Sequence, residues 1–210
     1  MKLVTFPKLL YIAGSQDFPD KASFFSHLEV LLSEGLSWFQ FRDKALTENS
    51  LFSWALEIRE LTSRYKAILT INDRPDIAYL VEADGVHMGQ EDIPSMTSEL
   101  IPLELKNLHI GISTHNSYEV KRSIILSPSY LGVGPINPTQ TKTLEHAPRG
   151  IQGIIETKKM TTLPLVAIGG ITHDMAGEIF RAGAQTIAVS GAFTKSPDPV
   201  KAMKDFLNHL

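Results

Sequence analysis

The chain has 210 residues, 43% of them hydrophobic, no cysteine, and a formal net charge of −3 at pH 7. Such a chain can bury one large core, so a single domain over 1–210 is expected, while disulfides, thiolate catalysis and cysteine-ligated metals are excluded. The charge balance leaves no basic footprint for nucleic acid, no apolar stretch is long enough for a bilayer, and Pro7 and Lys8 interrupt the N-terminal run before it resembles a signal peptide; a cytoplasmic protein is expected.

Short apolar runs alternate with longer segments of helical period. Strands are predicted at 9–13, 38–42, 68–71, 85–88, 108–112, 130–133, 165–168 and 186–189. They lack clean polar alternation, as befits strands of a parallel sheet covered on both faces. Helices are predicted at 20–34, 48–64, 75–82, 95–101, 117–127, 150–159, 174–182 and 198–209. Glu57, Glu60 and Arg64 sit among Trp54, Ile58 and Leu61 in the pattern of an amphipathic surface helix, and Asn116-Ser117 is suited to cap the helix that follows it. Eight βα units in this length predict a single (β/α)8 TIM barrel, with a doubly wound open sheet as the alternative.

In a barrel, the loops after the strands meet at one mouth, where active sites lie. The predicted strand ends are Gln40-Phe-Arg-Asp-Lys44, Asn72-Asp73, Gly89-Gln-Glu-Asp92, Ser113-Thr-His115, the loop Gly132-Val-Gly-Pro-Ile-Asn-Pro-Thr-Gln-Thr-Lys142, Gly169-Gly170 and Ser190-Gly191. Polar groups collect there although the strand bodies are apolar, which is the pattern of a site.

Gln40, Arg42 and Lys44 alternate and so point to one side of an extended chain; two cations there suit a di- or polyphosphate, with a strand-end salt bridge to Asp43 or a neighbouring acid as the alternative. Asp73 and Asp92 are two carboxylates at adjacent strand ends, a donor set for a hard cation such as Mg2+, although each precedes a proline and would also serve as a helix cap. Thr139, Thr141 and Lys142 offer two hydroxyls and an ammonium to an anion on a tight Gly/Pro loop. Gly170, with Val189, Ser190 and Gly191, occupies the strand pair whose loops cradle phosphate in many barrels. Glu91 is read as solvated, His87 as a satisfied core histidine, and Trp38 and Trp54 as core. His115 either reaches the mouth or packs and caps.

With these segments in order, the chain resembles the thiamine phosphate synthase (thiamine-phosphate pyrophosphorylase) family over nearly its full length. The matching stretches are Gln40–Lys44, Ile71-Asn-Asp73, Asp84-Gly-Val-His-Met-Gly-Gln-Glu-Asp92, Gly111-Ile-Ser-Thr-His115, the loop through Lys142, and Ala167-Ile-Gly-Gly-Ile171. The resemblance implies a TIM barrel that joins a hydroxymethylpyrimidine pyrophosphate to a thiazole phosphate, with release of pyrophosphate. Arg42, Lys44, Asn72 and Lys142 would grip the pyrophosphate, and Asp73 and Asp92 would hold Mg2+. Gln40 and Ser113 would contact the pyrimidine. Thr139, Thr141 and the backbone of Gly170, Val189, Ser190 and Gly191 would hold the thiazole phosphate. Arg42, Lys44, Lys142 and Ser113 are the residues on which catalysis would then depend.

Asp43 stands where family members usually carry Glu, Asn137 replaces a commonly aromatic residue, and Ser190 comes one position early. Three other readings stay open: a thiazole tautomerase of the same superfamily, in which His115 would be the residue to follow; a non-catalytic thiamine-precursor binding protein; and a phosphosugar isomerase, which would want an acid–base pair at the mouth. The partners expected are small molecules, with neither nucleic acid nor membrane; homo-oligomerisation stays open. The length and polarity of 139–145 allow a closing lid.

Overall fold

The computed structural model describes residues 5–93, 107–138 and 147–209. Eight parallel strands close into one barrel in sequence order: β1 (Leu9–Ala13), β2 (Trp38–Phe41), β3 (Ile68–Asn72), β4 (Gly85–Met88), β5 (His109–Thr114), β6 (Tyr130–Val133), β7 (Leu165–Ile168) and β8 (Thr186–Val189). Closure runs through β1 and β8, with Leu9 opposite Ile187 and Tyr11 opposite Val189. The open sheet is therefore excluded and the (β/α)8 expectation holds.

The helices are α1 (Lys21–Ser33), α2 (Glu48–Arg64), α3 (Pro75–Leu80), α4 (Ser117–Ile124), α5 (Gly150–Met160), α6 (Ala176–Arg181), α7 (Gly191–Thr194) and α8 (Pro199–Asn208). α1 and α8 begin one residue later than predicted because Asp20 and Asp198 are their caps, while α2 and α4 begin where predicted. Asp20, Thr47, Asn116 and Asp198 each accept a first-turn backbone N–H on the side chain. α3 and α4 end early, where Glu82 and Ser127 turn into the left-handed region. The predicted helix at 95–101 lies outside the described residues. The four-residue α7 and a 3-10 turn at Ser15–Asp17 are too short to carry a periodicity. Among the described residues no helix is long and apolar enough to cross a membrane.

Pleating divides each strand between two cores. Leu9, Tyr11, Phe39, Phe41, Leu69 and Ile71 face outward and join the helices in the larger apolar cluster. Leu10, Ile12, Trp38, Tyr130, Val166 and Ala188 turn inward and, with Phe6 beneath them, fill the barrel. Phe6 stacks on Trp38 at a centroid separation of 4.7 Å, and Tyr130 meets Trp38 edge-on at 5.2 Å. Trp54 is half-buried and stacked parallel to Phe41, so both tryptophans belong to packing as expected.

The tightest point of this interior is Gly111 on β5, opposite Tyr130 in the β5–β6 register. A Cβ there would collide with the phenol ring, which is wholly buried. Gly111→Ala is expected to lower the unfolding free energy by about 1–3 kcal/mol, the range for overpacking a filled core, measured by urea denaturation at equilibrium.

Candidate active site

A cavity of about 790 Å3 opens at the carboxyl ends of the strands. Its floor takes one inward residue from every strand: Ile12, Gln40, Asn72, His87, Ser113, Gly132, Ile168 and Ala188. Below this layer the inward side chains are mostly apolar, with Thr70 and Thr186 among the exceptions. From β2 to β5 the floor itself is polar throughout. The change along the barrel axis makes the mouth a binding site and the base a core.

Gln40, Arg42 and Lys44 all line the cavity, as their alternation predicts. Gln40 is buried and donates from Nε2 to Asn72 Oδ1 at 2.8 Å, which holds both amides side by side at the edge of β2 and β3. The half-buried Arg42 guanidinium has no hydrogen-bond or ion partner among the described residues. Arg42 is thus available to an anion. Lys44 donates to Asp73 Oδ2 at 2.6 Å. Asp43 does not pair with either cation. Its carboxylate accepts the backbone N–H groups of Ser15, Ala45 and Leu46 at 2.5, 2.8 and 2.8 Å, tying the β2 loop to the β1 loop.

Asp73 is not the cap of α3. Arg74 holds the capping position without a side-chain bond, and Asp73 has φ +60° with its N–H donated to the His87 carbonyl at 2.8 Å. That conformation swings its carboxylate back over the cavity toward Asp92. Asp92 accepts the Gly89 N–H at 3.1 Å, closing the turn after β4. Burial opposes the charge on Asp73, yet the hydrogen bond and charge of Lys44 outweigh it, helped by the hydrogen bond with Asp92, and the carboxyl stays below its ordinary range. Asp92 moves the other way, pushed up by partial burial, by the charge of Asp73 and by the hydrogen bond between them. Two oxygen donors facing each other, one of them driven to keep a proton, suit a hard cation that retains waters or takes phosphate oxygens. Among the described residues no group of three acids or histidines forms an all-protein metal cage.

The opposite wall is backbone. Gly169 and Gly170 have φ of +96° and +62°. A Cβ on either would run into the β6 loop, at Pro135 and Asn137 respectively. Asn137 donates its N–H to the Gly169 carbonyl at 3.0 Å and its amide Nδ2 to the Gly170 carbonyl at 3.1 Å. It stitches the two loops together behind the wall and does not line the cavity, so its departure from an aromatic residue bears on loop packing. Val189, Ser190 and Gly191 line the cavity where β8 passes into α7, whose Phe193 and Thr194 N–H groups are taken by the Ser190 carbonyl. Thr139, Thr141 and Lys142, and the 139–145 lid expectation, lie outside the described residues; Pro138, immediately before them, lines the cavity.

His87 and Lys195 were not expected at the cavity, whereas Glu91 and His115 follow their readings in part. His87 lines the cavity instead of the core, because on β4 the inward positions are Gly85 and His87 while the apolar Val86 faces the helices. Glu91 is exposed as read, yet stands at the rim. His115 does both things considered for it: it lines the cavity, and its Nδ1 and N–H both contact Glu119 Oε2 at 2.8 Å. Lys195 reaches the rim from the end of α7, and nothing in its sequence surroundings marks it.

A sequence profile of the thiamine monophosphate synthase family matches residues 9–193. The thiamine-phosphate synthase of Chloroflexus aurantiacus is 35% identical over 195 residues, covering 93% of this chain and 89% of that one. That of Dictyoglomus thermophilum is 35% identical over 202 residues, covering 96% and 89%. Among solved structures, a thiamine phosphate pyrophosphorylase from Pyrococcus furiosus superimposes with a TM-score of 0.81 at 29% identity, covering 96% of this chain and 95% of its own.

The opposed shifts of the two carboxyls are directly measurable. In a 13C-carboxyl NMR titration of metal-free protein, Asp92 is expected to take up its proton at higher pH than Asp73. Asp73→Asn, which removes the neighbouring charge, is expected to move the Asp92 midpoint down toward the ordinary value. An Asp92 midpoint unmoved by that substitution would show the two groups to be uncoupled.

Proposed function

The chain belongs to the thiamine monophosphate synthase family, and from that premise we propose that its cavity joins a hydroxymethylpyrimidine pyrophosphate to a thiazole phosphate, giving thiamine phosphate and pyrophosphate. The observation that carries this reading is the mouth between β2 and β4. An available Arg42 guanidinium and the Lys44–Asp73 pair line it beside the Gln40, Asn72 and Ser113 floor, and the exposed Asp92 carboxylate, which is not itself part of the lining, faces Asp73.

Arg42, Lys44, Asn72 and Lys142 hold the pyrophosphate, and Gln40 and Ser113 orient the pyrimidine. Asp73 and Asp92 would hold Mg2+, which when bound supplies further neutralisation of charge on the pyrophosphate oxygens. The bond between the pyrimidine methylene carbon and the bridging oxygen breaks, and its electron pair leaves with pyrophosphate. The ring amino group delocalises the resulting cation. The thiazole nitrogen then donates its lone pair to the methylene carbon, forming the new C–N bond and the thiazolium. Thr139, Thr141, Gly170 and the Val189-Ser190-Gly191 turn hold the thiazole phosphate so that this nitrogen faces the methylene. No proton leaves the reacting atoms, so the residues contribute by placing charge and excluding motion.

The test is an end-point assay with both substrates and Mg2+, thiamine phosphate being detected after fluorescent oxidation. Arg42→Ala is expected to lower kcat/KM about 100- to 1,000-fold, as for loss of one fixed group that stabilises developing charge. Chelation of the metal, Asp92→Ala and Lys142→Ala should each abolish product. Folded wild-type protein that forms no product would overturn the proposal, and isomerisation of the thiazole alone would point to His115 and the tautomerase reading.

A further inference from the structure

Inside the barrel five polar side chains follow one another in a file from base to mouth. Trp38 Nε1 donates to Thr70 Oγ1 at 2.9 Å, and the Thr70 side chain lies beside the Tyr130 phenol. The phenol lies 3.1 Å from His87 Nδ1, and His87 Nε2 lies 2.8 Å from Ser113 Oγ, which lines the cavity. Two glycines leave room for it: a Cβ on Gly111 would occupy the space of the Tyr130 ring, and one on Gly132 would stand 3.2 Å from His87 Cε1.

The file has a direction. The indole N–H can only donate, so the Thr70 oxygen accepts at its first contact. Tyr130 is wholly buried, and the one hydrogen bond its phenol makes among the described residues is to His87 Nδ1 at 3.1 Å. Burial holds the Tyr130 phenol neutral by raising its pKa far above the ordinary value. The phenol therefore sends its proton to His87 Nδ1. In the reverse arrangement the phenol proton has no acceptor, a penalty buried hydroxyls avoid. Nδ1 is therefore an acceptor, the imidazole proton sits on Nε2, and Nε2 donates to Ser113.

We infer that His87 is a positioning residue, locked as its Nε2–H tautomer by Tyr130, and that it turns the Ser113 hydroxyl proton into the cavity toward an acceptor atom of the substrate. The tautomer stands on the protein alone, and the substrate contact rests on the synthase reading.

With 15N-histidine-labelled protein, long-range 1H–15N spectra report the tautomer of each ring, and His87→Gln identifies the resonance by its loss. His87 is expected as Nε2–H in the wild type and as a tautomer mixture in Tyr130→Phe; an Nδ1–H tautomer in the wild type would overturn the inference whatever the activity. In kinetics, Tyr130→Phe is expected to raise KM for the pyrimidine pyrophosphate about three- to tenfold, the effect of one oriented hydrogen bond, with kcat little changed. His87→Gln keeps a donor toward Ser113 and should retain most of the affinity that His87→Leu loses. In a Ser113→Ala background, Tyr130→Phe should have no further effect. An undiminished effect there would assign Tyr130 to packing and overturn the positioning role.

Discussion

Strand pleating in a closed ring governs everything else in this protein. Each strand turns alternate residues inward, and closure through β1 and β8 brings all eight inward rows around one axis. A row that ends in Gln40, Asn72, His87 or Ser113 must then deliver that group to the same mouth, while its lower member is drawn into the base with Trp38 and Tyr130. A slip of one residue in any register would put these polar groups against the helices and an apolar residue in the cavity. Chemistry and core are thus specified by the same parity.

Charge is distributed with comparable economy. Arg42 and Lys44 are one pleat apart on the β2 edge, and Lys44 spans to Asp73 on the β3 edge. The positive φ of Asp73 frees its side chain from capping duty and directs it to Asp92. Asp43 gives up any role with the cations and satisfies three backbone N–H groups, which keeps the Lys44 loop in place. Backbone donors thus occupy Asp43, Lys44 pairs with Asp73 across the edge, and Arg42 is left without an acidic partner among the described residues.

The wall made by the β6, β7 and β8 loops works through backbone. Gly169 and Gly170 adopt conformations that a side chain would forbid, and the space a side chain would need is filled by Pro135 and Asn137. Asn137 then bonds to both glycine carbonyls. An aromatic residue could not make the second of these bonds, so the change at this position exchanges ring packing for a polar tie between loops.

Much of the architecture was legible in the residues. Apolar runs of strand length alternating with capped amphipathic helices determined eight βα units, and the polar strand ends marked the mouth, because burial and helix capping act over a few neighbouring residues. Gln40, Arg42 and Lys44 could be assigned to one side from pleating alone. What the chain by itself could not determine depends on which strand meets which. His87 stands between an apolar Val86 and Met88 and looks like core until β4 is placed between Asn72 and Gly111, where it faces the axis. Asp73 looks like a helix cap until its backbone is seen in the left-handed region. The file from Trp38 to Ser113 joins five strands, and its direction follows from the buried Tyr130 phenol, whose proton has His87 Nδ1 as its acceptor. Such relations are decided only by tertiary structure, since hydrogen bonds between residues distant in the chain exist only once the ring has closed.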